Sequence, residues 1–210
     1  MKLCTLAVGE KYLKLSHRLR DSLPVTLEIC TELPGGVPYR KSDGQYDHHN
    51  KRFVIEQHYH PGGTLYLDAD AICTDPSEFL VFLDSLEALP AGIYSPYVFS
   101  AYGFKHPKIP DKTLDRTRLT DILRFVASVV PLSDEDMLAF KMPYEWLMFF
   151  RFASPEQKAA FFTRYNDLHS IVVNSDCTLT RDCNLIGLSA QYCKLPVVTL
   201  ANVKGVRHKG

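Results

Sequence analysis

The chain has 210 residues, of which 46% are hydrophobic, 23% are charged and 11% are aromatic. This composition excludes a disordered or low-complexity protein, and the length predicts one domain covering residues 1–210. The 24 lysine and arginine residues balance the 24 aspartate and glutamate residues, so an anionic partner would have to be attracted by a local cluster of charge.

Apolar runs and amphipathic runs alternate through the first half of the chain, with glycine- or proline-rich breaks between them. Short apolar runs bounded by such breaks predict strands, and leucines spaced among Lys and Arg predict surface helices. The predicted strands are residues 3–8, 25–30, 64–67 and 91–95. The predicted helices are residues 11–22, 47–60 and 75–89, with a loop at 33–38. This alternation is typical of an α/β fold with a mostly parallel sheet flanked by helices.

The second half of the chain has a less regular pattern. Three prolines in residues 96–112 predict an irregular segment. Residues 144–152 are apolar enough for a central strand, and residues 197–200 predict the final strand. Helical periodicity or helix-opening residues mark the segments 115–129, 133 onwards, 154–168 and 182–193.

The most informative segment is the predicted strand 64–67 with the residues that follow it, Asp68, Ala69 and Asp70. In an extended chain, residues i and i+2 point the same way, so the two carboxylates can face one cation. Left buried and unpaired they would cost several kcal/mol, a cost that Mg²⁺ or Mn²⁺ removes. Ligands of open α/β sheets bind at this end of a strand. The alternative is that the two aspartates cap a turn.

The run Leu65-Tyr66-Leu67-Asp68-Ala69-Asp70 resembles the Asp-x-Asp signature of the metal-dependent nucleotide-sugar glycosyltransferases of the GT-A fold, including their glycogenin-like branch. The resemblance implies a single-domain, Rossmann-like GT-A fold, a Mn²⁺ or Mg²⁺ cofactor and a nucleotide-diphosphate sugar, most simply a UDP-sugar, as donor. By position, it implies that Asp68 contacts the metal or the ribose and that Asp70 ligates the metal.

The segment 206–210 resembles the late histidine segment that completes the metal site in some branches of this family. The resemblance implies that His208 is a third metal ligand and that Lys209 contacts phosphate. The alternative is a frayed tail, because chain termini are commonly poorly ordered.

The first predicted strand-to-helix turn supplies the nucleotide pocket in this family. The resemblance implies that Ala7, Val8 and Tyr12 lie near the base, with Tyr12 available to stack on it; alternatively Tyr12 packs on the sheet. Lys51 and Arg52 occupy the position of a basic residue that reaches the diphosphate or ribose. Their alternative is the ordinary one for basic residues, exposure to solvent.

Two carboxylates are candidate catalytic residues. Asp182 resembles the helix-opening acid that lines the sugar and acceptor pocket of the family, and Glu145 lies just before the predicted strand 144–152 reaches its apolar part. An inverting enzyme would use one of them as general base on the acceptor hydroxyl. A retaining enzyme would use the same group to stabilise positive charge. Either residue could instead be a helix cap or a surface acid.

Residues 94–118 interleave five aromatic residues with lysines, arginines and a histidine. Aromatic side chains could pack on a sugar acceptor, and aromatic residues with cations also suit nucleic acid. A DNA acceptor with a hydroxymethylated base is therefore one hypothesis, and the base would have to be flipped from its stack. The alternative is a structured loop whose aromatic residues belong to the core.

The leading hypothesis is a metal-dependent glycosyltransferase that moves a sugar from a nucleotide-diphosphate donor to a hydroxyl. The first alternative is a nucleotidyltransferase, although Gly9-Glu10-Lys11 is a poor match to the Gly-rich basic loop such enzymes use. The second is a non-catalytic module that binds nucleotide or nucleic acid. Six cysteines without Cys-x-x-Cys spacing indicate buried thiols, and no signal sequence or membrane-length apolar run is found. We therefore expect a cytoplasmic protein without a membrane partner.

Overall fold

The computed structural model describes residues 1–32, 51–100, 141–173 and 182–208. Within them lie ten strands: β1 (Lys2–Leu6), β2 (Leu27–Cys30), β3 (Thr64–Leu67), β4 (Ala71–Cys73), β5 (Gly92–Ser95), β6 (Val98–Ser100), β7 (Lys141–Pro143), β8 (Leu147–Arg151), β9 (Val197–Thr199) and β10 (Val206–His208). The helices are α1 (Glu10–Ser22), α2 (Lys51–Gln57), α3 (Pro76–Glu87), α4 (Pro155–Val173) and α5 (Asp182–Tyr192).

A six-stranded sheet in the order β2-β1-β3-β8-β5-β9 forms the centre of the fold. β1 pairs in parallel with β2 and β3, and β5 pairs in parallel with β9. β8 is antiparallel to both of its neighbours, β3 and β5. The sheet is thus mixed but mostly parallel and flanked by helices, which confirms the predicted α/β class. The direction of β8 was not predicted, because an apolar run carries no information on strand direction.

A hydrophobic core lies on each face of the sheet, and alternate residues of β8 contribute to the two cores. Met148 and Phe150 belong to the core that includes buried residues of α2, α4 and α5. Leu147 and Phe149 belong to the core on the opposite face, with buried residues of α1 and α3. Full burial of one such side chain contributes about 1.5–3 kcal/mol. Both cores therefore hold β8 at the middle of the sheet.

Two small antiparallel sheets lie outside the main one and depart from the predictions. β6 pairs with β7, so the irregular segment predicted for residues 96–112 is wrong at its start. β10 pairs with β4, so residues 197–200 do not hold the last strand. The loop predicted at 33–38 and the helices predicted at 115–129 and from 133 lie outside the described residues.

The predicted start of α3 is confirmed in detail. The Asp75 carboxylate accepts hydrogen bonds from the backbone N–H groups of Ser77 and Glu78, at 2.9 and 3.0 Å, and Pro76 occupies the first turn. This is the capping pattern expected of an aspartate followed by proline. Five cysteines of the described chain are free thiols. No helix within the described residues is long and apolar enough to cross a membrane.

Candidate metal centre

Asp68 and Asp70 lie at a turn that joins β3 to β4. The backbone N–H of Asp68 donates to the carbonyl of Trp146 at 2.8 Å, and the N–H of Ala71 donates to the carbonyl of Asp68 at 2.9 Å. The strand therefore ends at Leu67, and a turn rather than extended backbone brings the two carboxylates together. The turn that the sequence raised as the alternative is therefore present, and it places the two aspartates close enough to serve as a candidate cation site.

His208 joins the two aspartates because β10 pairs with β4. In this antiparallel pair His208 is opposite Ala71, which places the imidazole beside the turn. Its Nε2 lies 3.0 Å from Oδ1 of Asp70 and 3.8 Å from Oδ2 of Asp68. The Trp146 ring packs against the imidazole with 5.7 Å between ring centroids. The three predicted metal ligands therefore converge, although His208 is remote from the aspartates in sequence.

Gly205 fixes where β10 lies. Its carbonyl accepts hydrogen bonds from the N–H groups of Thr74 and Asp75, at 2.8 and 3.3 Å. Its φ is +70°, and a Cβ at this position would lie 2.4 Å from the Asp75 carbonyl oxygen and the Phe79 nitrogen. Only glycine allows this close approach to the start of α3. The register that delivers His208 therefore depends on a residue three positions earlier.

The donor set fits a divalent cation. One ligand atom from each of Asp68, Asp70 and His208 lies within 4.8 Å of the others, and no second such group of His, Cys, Asp or Glu occurs in the described parts of the chain. Carboxylate oxygens suit Mg²⁺ and Mn²⁺, and an imidazole nitrogen beside them favours a transition metal over Mg²⁺. The arrangement is thus a candidate Mn²⁺ site.

Lys51, the first residue of α2, lies on the other side of Asp68. Its Nζ is 2.8 Å from Oδ1 of Asp68 and 3.5 Å from Oε2 of Glu145, and it donates to the Glu145 carbonyl at 3.4 Å. Burial lowers the pKa of Lys51, but the charges of Asp68 and Glu145 outweigh burial and hold this pKa above its ordinary value. Burial also raises the pKa of Asp68, an effect that Lys51 opposes. Lys51 is therefore a protonated, fixed countercharge.

The two candidate catalytic acids have different surroundings. Glu145 retains 22% exposure of its side chain, and its Oε1 accepts a hydrogen bond from the Cys183 backbone N–H at 2.9 Å. Asp182 is fully buried at the start of α5. Its Oδ2 accepts from the backbone N–H of Lys51 at 3.3 Å, and its Oδ1 accepts from the Tyr165 hydroxyl. Of the two, Glu145 has the more accessible carboxylate.

Tyr165 is the member of this site that the sequence did not reveal. It is fully buried in α4, and burial, reinforced by the charge and hydrogen bond of Asp182, raises the pKa of its hydroxyl well above the ordinary value. In the sequence Tyr165 is one aromatic residue on the apolar side of a predicted helix. The signal that distinguishes it, a buried carboxylate within reach of its hydroxyl, exists only in three dimensions.

The residues predicted to hold the base lie together at the first strand-to-helix turn. Ala7 is buried and its N–H donates to the Cys30 carbonyl at 2.8 Å, and Val8 is half-buried. Tyr12 is 38% exposed, with Lys11 Nζ 5.5 Å from its ring centroid. Tyr12 thus does not pack into the sheet and remains accessible.

Three other predictions have mixed outcomes. Arg52 is not solvated, because it is buried and its guanidinium carbon lies 3.5 Å from the Phe53 ring centroid. Tyr94, expected in an acceptor loop, is instead a buried core residue of β5 that packs on Phe149. Lys209 and the basic residues at positions 105–118 lie outside the described residues.

Comparison with known proteins assigns no family. No family model matches the sequence, and no curated protein matches it. Nine chains of solved structures match the fold. One is the crystal structure of 2-C-methyl-D-erythritol 4-phosphate cytidylyltransferase from Thermus thermophilus, which has 14% sequence identity and a TM-score of 0.40 over 100% of this chain and 93% of that chain. A likeness this distant carries no conclusion about activity, so the functional argument depends on the site itself.

Proposed function

We propose that the chain is a metal-dependent glycosyltransferase that binds a nucleotide-diphosphate sugar, most simply UDP-linked, and transfers the sugar to an acceptor hydroxyl. The observation that carries this proposal is the convergence of Asp68, Asp70 and His208 at the carboxyl end of β3. That end of the strand is where open α/β sheets bind ligands. The same three residues match the family resemblance drawn from the sequence.

The charge of the site supports a requirement for a cation. Among the described residues of the site, the Lys51 ammonium lies near the carboxylates of Asp68 and Glu145. Two further carboxylates are close by: Asp70 beside His208, and Asp182 beside the backbone nitrogen of Lys51. This excess of formal negative charge would repel a diphosphate. A divalent ion held by Asp68, Asp70 and His208 would reverse this and neutralise the charge that develops on the leaving diphosphate.

The remaining residues would bind and orient the substrates. Ala7, Val8 and Tyr12 would hold the nucleoside, with the accessible Tyr12 ring stacked on the base. Lys51 would keep Asp68 in place and face the diphosphate, and Lys209 would contact phosphate.

Glu145 is the better-placed of the two catalytic candidates. Its partly exposed carboxylate could accept the proton of an acceptor hydroxyl in an inverting reaction. In a retaining reaction it would instead stabilise positive charge on the sugar. The DNA acceptor remains a hypothesis from the sequence, because the basic residues that suggest it lie outside the described residues.

Nucleotidyl transfer is the second candidate. It is favoured by Lys51, whose protonated amino group lies 2.8 Å from a predicted metal ligand. A fixed cation beside a metal site can stabilise charge at a reacting phosphorus as well as on a leaving diphosphate. The two functions therefore share the site and differ in the bond that breaks.

Product analysis separates these two functions. The protein would be incubated with a panel of nucleotide sugars or with nucleoside triphosphates, with and without Mn²⁺, and the products identified by mass spectrometry. Slow Mn²⁺-dependent hydrolysis to a nucleoside diphosphate and a free sugar would support the proposal. Mn²⁺-dependent release of pyrophosphate from a triphosphate would support the second candidate. Absence of both reactions, with Mn²⁺ bound, would contradict both.

A further inference from the structure

Asp182 has the surroundings of a structural carboxylate although it lies close to the site. It is fully buried, and both of its oxygens accept hydrogen bonds, one from Tyr165 and one from the backbone of Lys51. A general base must reach the proton of the substrate directly or through one water. A carboxylate enclosed in this way is engaged with the protein itself.

The support for Asp182 comes from two helices. Asp182 is the first residue of α5, and the Tyr165 hydroxyl that donates to it belongs to α4, which packs against α5. Tyr165 is itself fully buried, and the guanidinium carbon of the buried Arg52 lies 5.2 Å from its ring centroid. The Asp182 carboxylate is therefore held on a rigid base.

Asp182 in turn accepts a hydrogen bond from Lys51, the first residue of α2. Its Oδ2 lies 3.3 Å from the backbone nitrogen of Lys51, and the side chain of Lys51 extends from that point to Oδ1 of Asp68 at 2.8 Å. The other oxygen of Asp68 is the one nearer His208, at 3.8 Å. Asp68 thus gives one oxygen to Lys51 and presents the other to the metal centre.

From this chain of contacts we infer that Asp182 is a positioning residue: with Tyr165 it fixes Lys51, and Lys51 orients Asp68 toward the metal ion. The inference rests on the proposed function, since it concerns the same metal centre. Groups that orient metal ligands commonly change metal affinity by roughly 10- to 100-fold when they are removed.

The test measures Mn²⁺ binding alone, by electron paramagnetic resonance of free Mn²⁺, in the full-length chain. Asp182→Ala should weaken Mn²⁺ binding roughly tenfold. Asp182→Asn removes the same charge but keeps an oxygen to accept from Lys51 and an amide to bond Tyr165, so it should lose no more than about threefold. Equal losses in the two variants would mean that charge alone matters, and would overturn the inference.

A second comparison tests the route through Lys51. In a Lys51→Met background, Asp182→Ala should change Mn²⁺ affinity by less than about twofold, because the side chain it positions is gone. A full tenfold loss in that background would overturn the inference. Asp84→Ala on the exposed face of α3 is the matched control and should bind Mn²⁺ as the wild type does.

If circular dichroism shows that Asp182→Ala does not fold, the variant Tyr165→Phe provides the test instead. It keeps the charge and volume of the site and removes one hydrogen bond, so it should weaken Mn²⁺ binding severalfold. Wild-type affinity in this variant would overturn the inference. If the wild-type protein binds no Mn²⁺ at all, the proposed function is overturned. If the wild type binds Mn²⁺ but Asp182→Ala and Asp182→Asn lose affinity equally, only the inference about Asp182 is overturned.

Discussion

At the scale of single residues, the two oxygens of the Asp68 carboxylate have different neighbours. One oxygen lies 2.8 Å from the ammonium of Lys51, and the other lies 3.8 Å from Nε2 of His208. Asp70 pairs with His208 but with no lysine or arginine among the described residues, and it keeps 32% side-chain exposure. The two aspartates of the motif are therefore not equivalent, and Asp70 is the cleaner probe of metal binding.

Asp70→Asn should weaken Mn²⁺ binding by at least roughly tenfold and abolish metal-dependent hydrolysis of the donor, because it removes a charged ligand. Its exposure predicts a change in the free energy of unfolding within about 0.5 kcal/mol. Isothermal titration calorimetry, a hydrolysis assay and urea denaturation would measure the binding, the activity and the stability, with Asp84→Asn as control. Full Mn²⁺-dependent activity in Asp70→Asn would rule out the proposed metal centre.

A second residue-scale prediction concerns a thiol. Burial, with a smaller contribution from the charge of Glu28, raises the pKa of Cys30 from 9.0 to about 11. In the folded protein this thiol stays protonated at pH values where the unfolded chain has already ionised it. Its contribution to stability is therefore full below pH 9.0 and is lost as the pH rises toward about 11.

Urea denaturation at several pH values would test this linkage. The free energy of unfolding of the wild type should fall between pH 9.0 and about 11, and in Cys30→Ala it should fall less steeply. The exposed Asp84→Asn variant should follow the wild type. Parallel pH profiles for the wild type and Cys30→Ala would contradict the prediction.

At the scale of elements, β10 is short but carries His208, the third residue of the candidate metal centre. Three residues pair it with β4, and Gly205 anchors it against the first turn of α3. A side chain at position 205 would meet backbone atoms, which cannot move aside as a flexible side chain could. Displacement of β10 would carry His208 away from Asp70.

Gly205→Ala should therefore weaken Mn²⁺ binding by roughly tenfold or more, besides a backbone cost of about 1–2 kcal/mol from its positive φ. Gly9→Ala is the matched control for Mn²⁺ affinity. Gly9 also has a positive φ, of +86°, but no atom lies within 4 Å of the position its Cβ would take. Equal Mn²⁺ affinity in the two variants would show that contact with α3 does not set the position of His208.

The same elements show how far the sequence could lead. The strand at residues 64–67 was predicted with the correct first and last residues, because its apolar run is short and is followed by Asp68 and Asp70. β10 was not predicted, because three residues of modest β-propensity form a strand only where Gly205 docks them. The role of Asp182 was also out of reach, since its partners Lys51 and Tyr165 are distant in sequence.

At the scale of the whole molecule, the balance of 24 basic and 24 acidic residues leaves no general attraction for a polyanion. Binding of DNA would then depend on the local basic segment within residues 94–118. This makes the acceptor hypothesis testable by salt dependence, since each phosphate contact contributes about 0.9 to the slope of log affinity against log salt on duplex DNA.

Replacement of Lys105, Lys108 and Lys112 by alanine should flatten this salt dependence without changing hydrolysis of the donor. Filter binding or fluorescence anisotropy across a range of salt concentrations would measure it. A triple alanine variant at the exposed Lys2, Lys14 and Lys194 removes the same charge elsewhere and is the control. Salt-independent turnover of a neutral acceptor, with no DNA binding at low ionic strength, would exclude a DNA acceptor.

The pairing of β10 with β4 has a consequence for biosynthesis. Asp68 and Asp70 are translated before His208, which is added after nearly all of the described chain has been made. A nascent chain on the ribosome can therefore form β3 and its turn but cannot enclose an ion between all three ligands. Bringing His208 back to Asp68 and Asp70 also closes a long loop of chain. The entropic cost of this closure is offset by the contacts of the folded sheet. Metal loading would thus follow translation of His208, and an incomplete chain would expose two carboxylates without a complete centre.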